Sequence, residues 1–258
     1  MSMANVLNVH AKPSLVDPQE LVGATVVVVD VLRASTTIVY ALEAGAECVV
    51  PCVEVDEARE IAQRHSGGQV LLGGERNGLP IDGFDLGNSP AEYSAERVGG
   101  KTIVFTTTNG TGALQRALPA DRILIGAFVN ASAIVEQLLN QKRIHVLCAS
   151  TRGQFSTDDI LLAGMLVERV QRQGSLLYEQ NAQAITAREN WLHSFALPCA
   201  LGAEPLQPQR LAKELRKSAG GKNLVAIGME DDILAASQID RFSGVPELDG
   251  KRLRIELA

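Results

Sequence analysis

The sequence is short of several kinds of residue, and each shortage excludes a class of protein. Lysines and arginines total 24 against 30 aspartates and glutamates, which gives a net charge of −6. A broad nucleic-acid footprint needs clustered Lys and Arg, so we do not expect a nucleic-acid partner. No apolar run approaches the roughly 18 residues of a membrane span, and residues 1–10 lack the charged flank and apolar run of a signal peptide. We therefore predict a cytoplasmic protein without a membrane partner.

Cysteine and histidine are also scarce, with four of each. Cys48, Cys52, Cys148 and Cys199 form no CxxC pair and show no zinc-like spacing with the histidines. They lie mostly in β-like or apolar stretches, so we predict reduced, buried side chains. His145 lies inside an apolar stretch and is predicted to be a core residue.

The chain does contain an alternation of short β-rich runs and amphipathic stretches, which is typical of a layered α/β protein. We predict α/β/α layers around a mostly parallel mixed sheet, in one compact unit over residues 1–258 or in two α/β lobes. The predicted strands are Val26–Val31, Cys48–Val53, Val70–Leu72, Thr102–Thr107, Ile123–Ala127, Ile144–Cys148 and Leu224–Ile227. The predicted helices are Thr36–Ala44, Asp56–His65, Ala131–Asn140, Thr157–Gln173, Ala182–Phe195 and Pro208–Lys217.

A first candidate site lies where the strand Val26–Val31 meets a helix, and it contains Asp30, Arg33, Ser35 and Thr36. In open α/β sheets, ligands bind beyond the carboxyl ends of strands, where helix amino termini present N–H groups. Asp30 would offer Mg²⁺ a hard oxygen, and Arg33 would offer a phosphate or carboxylate a forked donor. The alternative is that Asp30 only ends a strand and Ser35 only caps a helix.

A second candidate site follows the strand Thr102–Thr107, in the turn formed by Thr108, Asn109, Gly110 and Thr111, which we predict to precede another helix. Glycine lets backbone N–H groups approach an anion, and the hydroxyls add neutral donors. We predict an anion cradle here, with an ordinary Asn-Gly turn as the alternative.

A third candidate site follows the strand Ile144–Cys148, where Arg152 precedes a helix start containing Asp158 and Asp159. The two acids complement the helix dipole, and one of them could also complete a metal site. Which of the two would face a metal is open.

The segment Gly73–Ser89 shows neither helical nor strand periodicity. Loops of this length inside compact domains are usually functional or disordered, and its apolar residues favour an ordered, packed loop. It adds Glu75 and Arg76 to the acids and arginines at the strand ends. Such a set suits phosphoryl transfer, in which a metal and arginines neutralise the transferring group.

Taken together, the stretches DVLRASTT, GGERNG, GFDLGNSPAEY and TTTNGT and the segment Ser156–Asp159 resemble the 2-phosphosulfolactate phosphatase family of coenzyme M biosynthesis. The resemblance covers about residues 25–160 and, more weakly, GGKNLVAIGMEDDILAASQIDRFSGVPEL near the end. Ser175 to Lys217 matches only loosely. The resemblance is specific because several unusual motifs occur in one order.

This resemblance implies a family-specific α/β fold, a homodimer, and Mg²⁺-dependent hydrolysis of 2-phospho-3-sulfolactate to 3-sulfolactate and phosphate. Asp30, Glu75 and Asp159 fall in the matching motifs, and we predict them as metal ligands or catalytic acids, with Arg33 as a further catalytic residue. Three arginines would account for a small substrate bearing phosphate, sulfonate and carboxylate. The predicted substrate-binding residues are Arg33, Ser35, Thr36, Arg76, Thr108, Asn109, Gly110, Thr111 and Arg152.

Two other functions remain open at this point. One is a phosphatase or lyase that acts on another small phosphorylated or sulfonated acid in the same pocket. The other is a non-catalytic anion-binding protein, since glycine-rich turns also bind phosphate without reacting. A pure anion binder, however, has no need for Asp30 and Glu75 beside its arginines. Whether water attacks directly or a phosphoenzyme forms is also open.

Overall fold

The computed structural model of the chain describes residues 4–64, 69–151, 153–197 and 206–258. Ten strands in this part of the chain form one mixed sheet in the order β1-β8-β2-β7-β9-β10-β3-β6-β4-β5. These strands are β1 (Val6–His10), β2 (Thr25–Val29), β3 (Cys48–Pro51), β4 (Val70–Arg76), β5 (Leu79–Pro80), β6 (Thr102–Thr106), β7 (Arg122–Gly126), β8 (Arg143–Cys148), β9 (Pro246–Asp249) and β10 (Arg254–Leu257).

Ten α-helices lie within the same described residues. They are α1 (Ala34–Glu43), α2 (Val55–Arg64), α3 (Ala95–Val98), α4 (Gly110–Ala117), α5 (Ala131–Leu138), α6 (Thr157–Gln173), α7 (Ala182–Trp191), α8 (Pro208–Leu215), α9 (Ala219–Ala226) and α10 (Asp231–Ala236). None of the helices in this part of the chain combines the length and apolar character needed to cross a bilayer.

The sheet consists of two parallel blocks joined by an antiparallel hairpin. Strands β1, β8, β2 and β7 are parallel neighbours, and so are β3, β6 and β4. The hairpin of β9 and β10 lies between the blocks and pairs antiparallel with β7 on one side and with β3 on the other. The last strands of the chain therefore occupy the middle of the sheet.

Side chains alternate between the two faces of the sheet, as the two-residue period of a strand requires. In β2, Val26 and Val28 belong to a buried cluster that also includes side chains of β7, β3 and β6 and the helices α1 and α4. Val27 and Val29 belong to a second cluster with α5, α6, α7 and α8. The helices α1 and α4 thus pack on the same face of the sheet.

The predicted α/β class, with a mostly parallel mixed sheet between helices, is confirmed. All six predicted helices are present, as are six of the seven predicted strands, with ends shifted by a few residues. The strand predicted at Leu224–Ile227 is wrong, since this stretch lies at the end of α9 and just beyond it. A short apolar run does not distinguish a strand from a buried helix. Here Ser218 caps the helix, because its Oγ accepts a hydrogen bond from Gly221 N.

Several short elements have no counterpart among the predicted ones. They are the strands β1, β5, β9 and β10 and the helices α3, α9 and α10. Of these, β9 and β10 have four residues each, which is the lower limit at which the alternation of apolar and polar residues identifies a strand. They form because their backbone groups pair with those of the neighbouring strands β7 and β3.

The predictions for cysteine and histidine can be checked at most positions. Cys48, Cys52 and Cys148 are buried free thiols, whereas Cys199 lies outside the described residues. His145 is a buried core residue whose Nδ1 is 2.9 Å from Nε2 of His10. Among the described residues, the other ring nitrogen of each histidine has no hydrogen-bond partner, so this pair is only half satisfied.

Candidate active site

The turn between β2 and α1 places Asp30 at the carboxyl end of a parallel block. The backbone of this turn is closed by Ser35, whose N–H donates to the Asp30 carbonyl at 2.9 Å and whose Oγ accepts from Asp30 N at 2.9 Å. Burial raises the pKa of the Asp30 carboxyl most, and the nearby N–H of Ala34, in the first turn of α1, acts in the opposite direction. The sequence folds this way because a buried valine strand ends directly before a helix start.

The start of α4 lies against the same carboxylate. A Cβ atom added to Gly110 would be 2.8 Å from Asp30 Oδ2 and 2.8 Å from the Cβ of Ala34. Only glycine therefore lets the first turn of α4 approach the start of α1 this closely. The predicted second site and the predicted first site are thus neighbours in space.

Glu75, near the end of β4, joins the second site to the β4–β5 turn. Its Oε1 accepts from Thr108 N at 2.8 Å, and its Oε2 accepts from Gly78 N at 2.6 Å and from Thr108 Oγ1 at 3.2 Å. Both carboxylate oxygens are therefore used to hold backbone in place. Glu75 therefore links the β4–β5 turn to the turn that follows β6.

These elements surround a cleft of about 120 Å³. Asp30, Arg33 and Glu75, which the sequence analysis expected to meet, all line it. The lining residues are Asp30, Leu32, Arg33, Glu75, Asn77, Gly78, Asn88, Thr108, Asn109, Thr151, Ala219, Gly220, Asn223 and Leu224. Residues in the first turn of α9, and residues directly before α1 and α4, are among those that line the cleft.

The carboxylates around the cleft repel one another. Burial is the main cause that raises the pKa of Asp30 to about 7, and the neighbouring charges of Asp158 and Glu75 act in the same direction. Burial likewise raises the pKa of Asp158 and of Asp159. The ionised forms of these three carboxyl groups are therefore disfavoured in the site.

Arg33 is held by a buried ion pair. Its Nη1 lies 2.7 Å from Asp232 Oδ2, with side-chain exposures of 3% and 5%, and its Nη2 donates to the Gly78 carbonyl at 2.7 Å. The second oxygen of Asp232 accepts from Ser89 Oγ at 2.5 Å. Arg33 thus ties the start of α1 to α10 and to the β4–β5 turn while one side of it lines the cleft.

Comparison with known proteins identifies the family. A model of the family described as 2-phosphosulpholactate phosphatase matches residues 10–251. The chain belongs to the 2-phosphosulfolactate phosphatase family. It is 40% identical over 229 residues to the probable 2-phosphosulfolactate phosphatase of Symbiobacterium thermophilum, covering 88% of this chain and 92% of that protein. It is also 40% identical over 225 residues to the protein of the same name from Thermotoga petrophila, covering 87% and 88%.

Several predicted substrate-binding residues of this family member stabilise the turns around the cleft and do not line it. Thr36 Oγ1 donates to the Val31 carbonyl at 2.8 Å, and Thr111 Oγ1 donates to the Thr107 carbonyl at 3.0 Å. Like Ser35, neither side chain lines the cleft. These hydroxyls stabilise the strand-to-helix turns. They therefore support the site and do not face the cleft.

Arg76 does not line the cleft either. Its guanidinium donates to the carbonyl of Val53 at 2.9 Å, to Thr106 Oγ1 at 2.9 Å and to the carbonyl of its neighbour Glu75 at 2.8 Å. Successive residues of a strand point to opposite faces, so Glu75 and Arg76 cannot both face the cleft. The predicted contact of Arg152 with substrate lies outside the described residues.

The structure separates the roles of Asp158 and Asp159. Asp159 accepts from Val31 N at 2.9 Å and from Ser150 N at 3.4 Å, so it links the ends of β2 and β8 and does not line the cleft. Asp158 accepts from the Ser156 hydroxyl, and its Oδ2 lies 3.6 Å from where a Cβ of Gly220, a lining residue, would be. Of the two acids, Asp158 is the one next to the cleft wall.

The structure does not bring Asp30, Glu75 and Asp159 together as one set of metal ligands. Within the described residues, no three side chains of His, Cys, Asp or Glu are grouped closely enough to hold a metal. Glu75 and Asp159 use their oxygens to hold backbone N–H groups. Asp30 lines the cleft, and its pKa is raised by burial and by the charge of the neighbouring Asp158.

Sequence reasoning missed several residues at the site. Asn77, Asn88 and Asn223 line the cleft, and Asp232 pairs with Arg33. Asn88 lies in the stretch GFDLGNSPAEY and Asn223 in GGKNL, both of which carry the family resemblance. The repeated placement of asparagine near glycine in these stretches was the available signal.

Proposed function

We propose that this protein is a Mg²⁺-dependent phosphatase that hydrolyses 2-phospho-3-sulfolactate to 3-sulfolactate and phosphate. The observation that carries the proposal is the position of Asp30: its carboxylate lies in the same cleft as Arg33 and the amino termini of helices. An anion-binding cleft that also holds an available acid suits phosphate-ester hydrolysis better than simple anion binding. Family membership supports the same interpretation.

The cleft has the means to bind a polyanion despite the net charge of the chain. Arg33 precedes α1, Asn109 precedes α4, and Ala219 and Gly220 form the first turn of α9. The first N–H groups of a helix have no partner inside the helix and attract anions. The asparagines that line the cleft add neutral donors. These groups would hold and orient the phosphate and acid groups of the substrate.

A Mg²⁺ ion fits this site if only one or two carboxylates of the protein bind it. Mg²⁺ is usually bound through one or two carboxylates, with waters and substrate phosphate oxygens completing its coordination. Asp30 fits such a role because burial and its acidic neighbours leave its charge poorly compensated. When bound, the ion would neutralise charge on the phosphoryl group.

Phosphate release tests the proposal directly. We expect the protein to release phosphate from 2-phospho-3-sulfolactate, to lose this activity in EDTA, and to regain it with Mg²⁺. Because the pKa of Asp30 is raised to about 7, a cation must displace its proton below that pH. Mg²⁺ should therefore raise the melting temperature more at pH 8 than at pH 6.

Different failures would point to different alternatives. Release that is indifferent to EDTA would remove the metal from the proposal. Release from another phosphorylated acid but not from phosphosulfolactate would change the substrate. Stabilisation by phosphosulfolactate without any turnover would favour a non-catalytic anion-binding protein.

The proposal also includes a homodimer that works in the cytoplasm, in line with the family resemblance. Sedimentation at micromolar concentration should give twice the mass of one 27.5 kDa chain. A monomer under these conditions would remove this part and leave the activity unaffected.

A further inference from the structure

Asn88 is a cleft residue that neither the fold nor the family comparison explains. It lines the same cleft as Arg33, and the residue is only 4% exposed. Among the described residues, its side-chain Oδ1 has no hydrogen-bond partner. Buried polar side chains are normally hydrogen-bonded, so an exception calls for an explanation.

The backbone around Asn88 is, by contrast, firmly held. Its carbonyl accepts from Thr37 Oγ1 at 2.8 Å. On one side, Gly87 N donates to Glu92 Oε2 at 2.8 Å and the Gly87 carbonyl accepts from Tyr93 OH at 2.7 Å. On the other side, Ser89 Oγ donates to Asp232 at 2.5 Å. The chain thus fixes the position of a side chain whose amide it leaves incompletely paired.

We propose that the carboxamide of Asn88 binds the substrate, with its NH₂ group donating to an oxygen of the bound phosphate ester. A carboxamide supplies two donors and an acceptor without charge. A neutral donor suits this cleft, where further negative charge would repel the ligand. This inference rests on the proposed function and names a residue that determines substrate affinity.

The test compares Asn88 with Asn130, a buried asparagine that is fully used by the fold. Asn130 is 0% exposed. Its Oδ1 accepts from Ala127 N at 2.9 Å, and its Nδ2 donates to the carbonyls of Ile125 and Gly244 at 3.2 Å each. Asn130→Ala should lower the melting temperature and leave KM unchanged.

Asn88→Ala should show the opposite pattern. We expect KM for 2-phospho-3-sulfolactate to rise about 10- to 100-fold, as for loss of a hydrogen bond to a charged group, with the melting temperature close to that of the wild type. Asn88→Asp should raise KM further because its charge repels the substrate. Inorganic phosphate should raise the melting temperature of the wild type and of Asn130→Ala, but less that of Asn88→Ala.

The binding measurement separates this inference from the proposed function. If the wild type does not hydrolyse phosphosulfolactate, the proposed function fails, and the phosphate-induced shift still decides the role of Asn88. A wild-type KM and a wild-type phosphate shift in Asn88→Ala would overturn the inference. So would a loss of stability with unchanged KM, or the absence of any phosphate shift in the wild-type protein.

Discussion

Asp30 is buried, acidic and close to other acids, a combination that folding alone disfavours. Burial and the charges of Asp158 and Glu75 all raise its pKa, so its ionised form is held against an electrostatic cost. Groups with strongly raised pKa values in a cleft are frequently functional. At the scale of single residues, stability and function therefore oppose each other at this position.

Asp30→Asn should make the protein more stable and nearly inactive. The amide keeps the shape of the carboxyl and removes the repulsion, so the melting temperature at pH 8 should rise. Phosphate release should fall about 100-fold or more, since the proposed ligand for a charge-neutralising cation is lost. Asp82→Asn, at an exposed position, is the control and should change neither. Full activity in Asp30→Asn would remove Asp30 from the site.

The pair of Arg33 and Asp232 joins residues that are 199 positions apart in the chain. Both side chains are almost completely buried. Removing one member of a buried pair leaves the other charge uncompensated, which costs more than the intact pair contributes.

Asp232→Asn should therefore lower the free energy of unfolding by about 3–5 kcal/mol. The matched control is Glu230→Gln, two positions away, whose pair with Arg216 is 47% exposed on each side. That change should cost at most about 1 kcal/mol. Urea unfolding of both variants measures the difference, and equal losses would show that burial of the pair has no special weight.

At the scale of elements, the approach of α4 to α1 decides whether the two predicted sites form one. Gly110 stands at the first position of α4, where a Cβ would be 2.8 Å from Asp30 Oδ2. Gly112, two residues further along the same helix, has nothing within 4 Å of its Cβ position. The same substitution should therefore have opposite effects at the two positions.

Gly110→Ala should displace the Asp30 carboxylate or the start of α1, with a loss of about 1–3 kcal/mol in stability and a marked loss of phosphate release. Gly112→Ala should keep full activity and gain up to about 1 kcal/mol, because alanine is the better helix former. Thermal unfolding and activity assays of both variants test these expectations. Similar behaviour of the two variants would contradict the close contact at Gly110.

At the scale of the whole molecule, the buried His10–His145 pair links β1 to β8 and contributes a pH dependence to folding. The rings stack with centroids 5.2 Å apart. Burial lowers the pKa of His10, and lowers that of His145 to about 4. In the unfolded chain both titrate near about 6.5. The unfolded state therefore takes up protons first as the pH falls.

Stability from these histidines should be fully present above about pH 6.5 and decline as the pH falls toward 4. For His145 the loss between pH 7.5 and pH 5 should be on the order of 1–2 kcal/mol. Asp30, with its raised pKa, acts in the opposite direction, so the measurement is the difference between wild type and His145→Gln in urea unfolding at the two pH values. His193→Gln, at an exposed histidine, should follow the wild type; a His145→Gln profile parallel to the wild type would contradict the prediction.

The sequence by itself determined the α/β class, most of the strands and helices, and the strand-to-helix turns that carry Asp30, Thr108 and Asn109. These features follow from local patterns, since apolar runs and capping residues act over a few neighbouring positions. The segment Gly73–Ser89 was likewise recognisable as ordered, and Gly74 N and Leu86 N are bonded to backbone carbonyls within it or next to it. The prediction of a loop throughout this segment was wrong, because β4 continues to Arg76 and β5 covers Leu79–Pro80.

Only the tertiary structure decided which polar side chains face the cleft. In the structure, Arg76 donates to the Val53 carbonyl, and Asp159 joins two strand ends. Asn88 and Asn223 line the cleft. The tertiary structure also pairs Arg33 with a distant aspartate and places the last two strands in the middle of the sheet. The physical reason is that a side chain's direction and partners depend on elements far away in the chain, and no pattern of neighbouring residues encodes that contact.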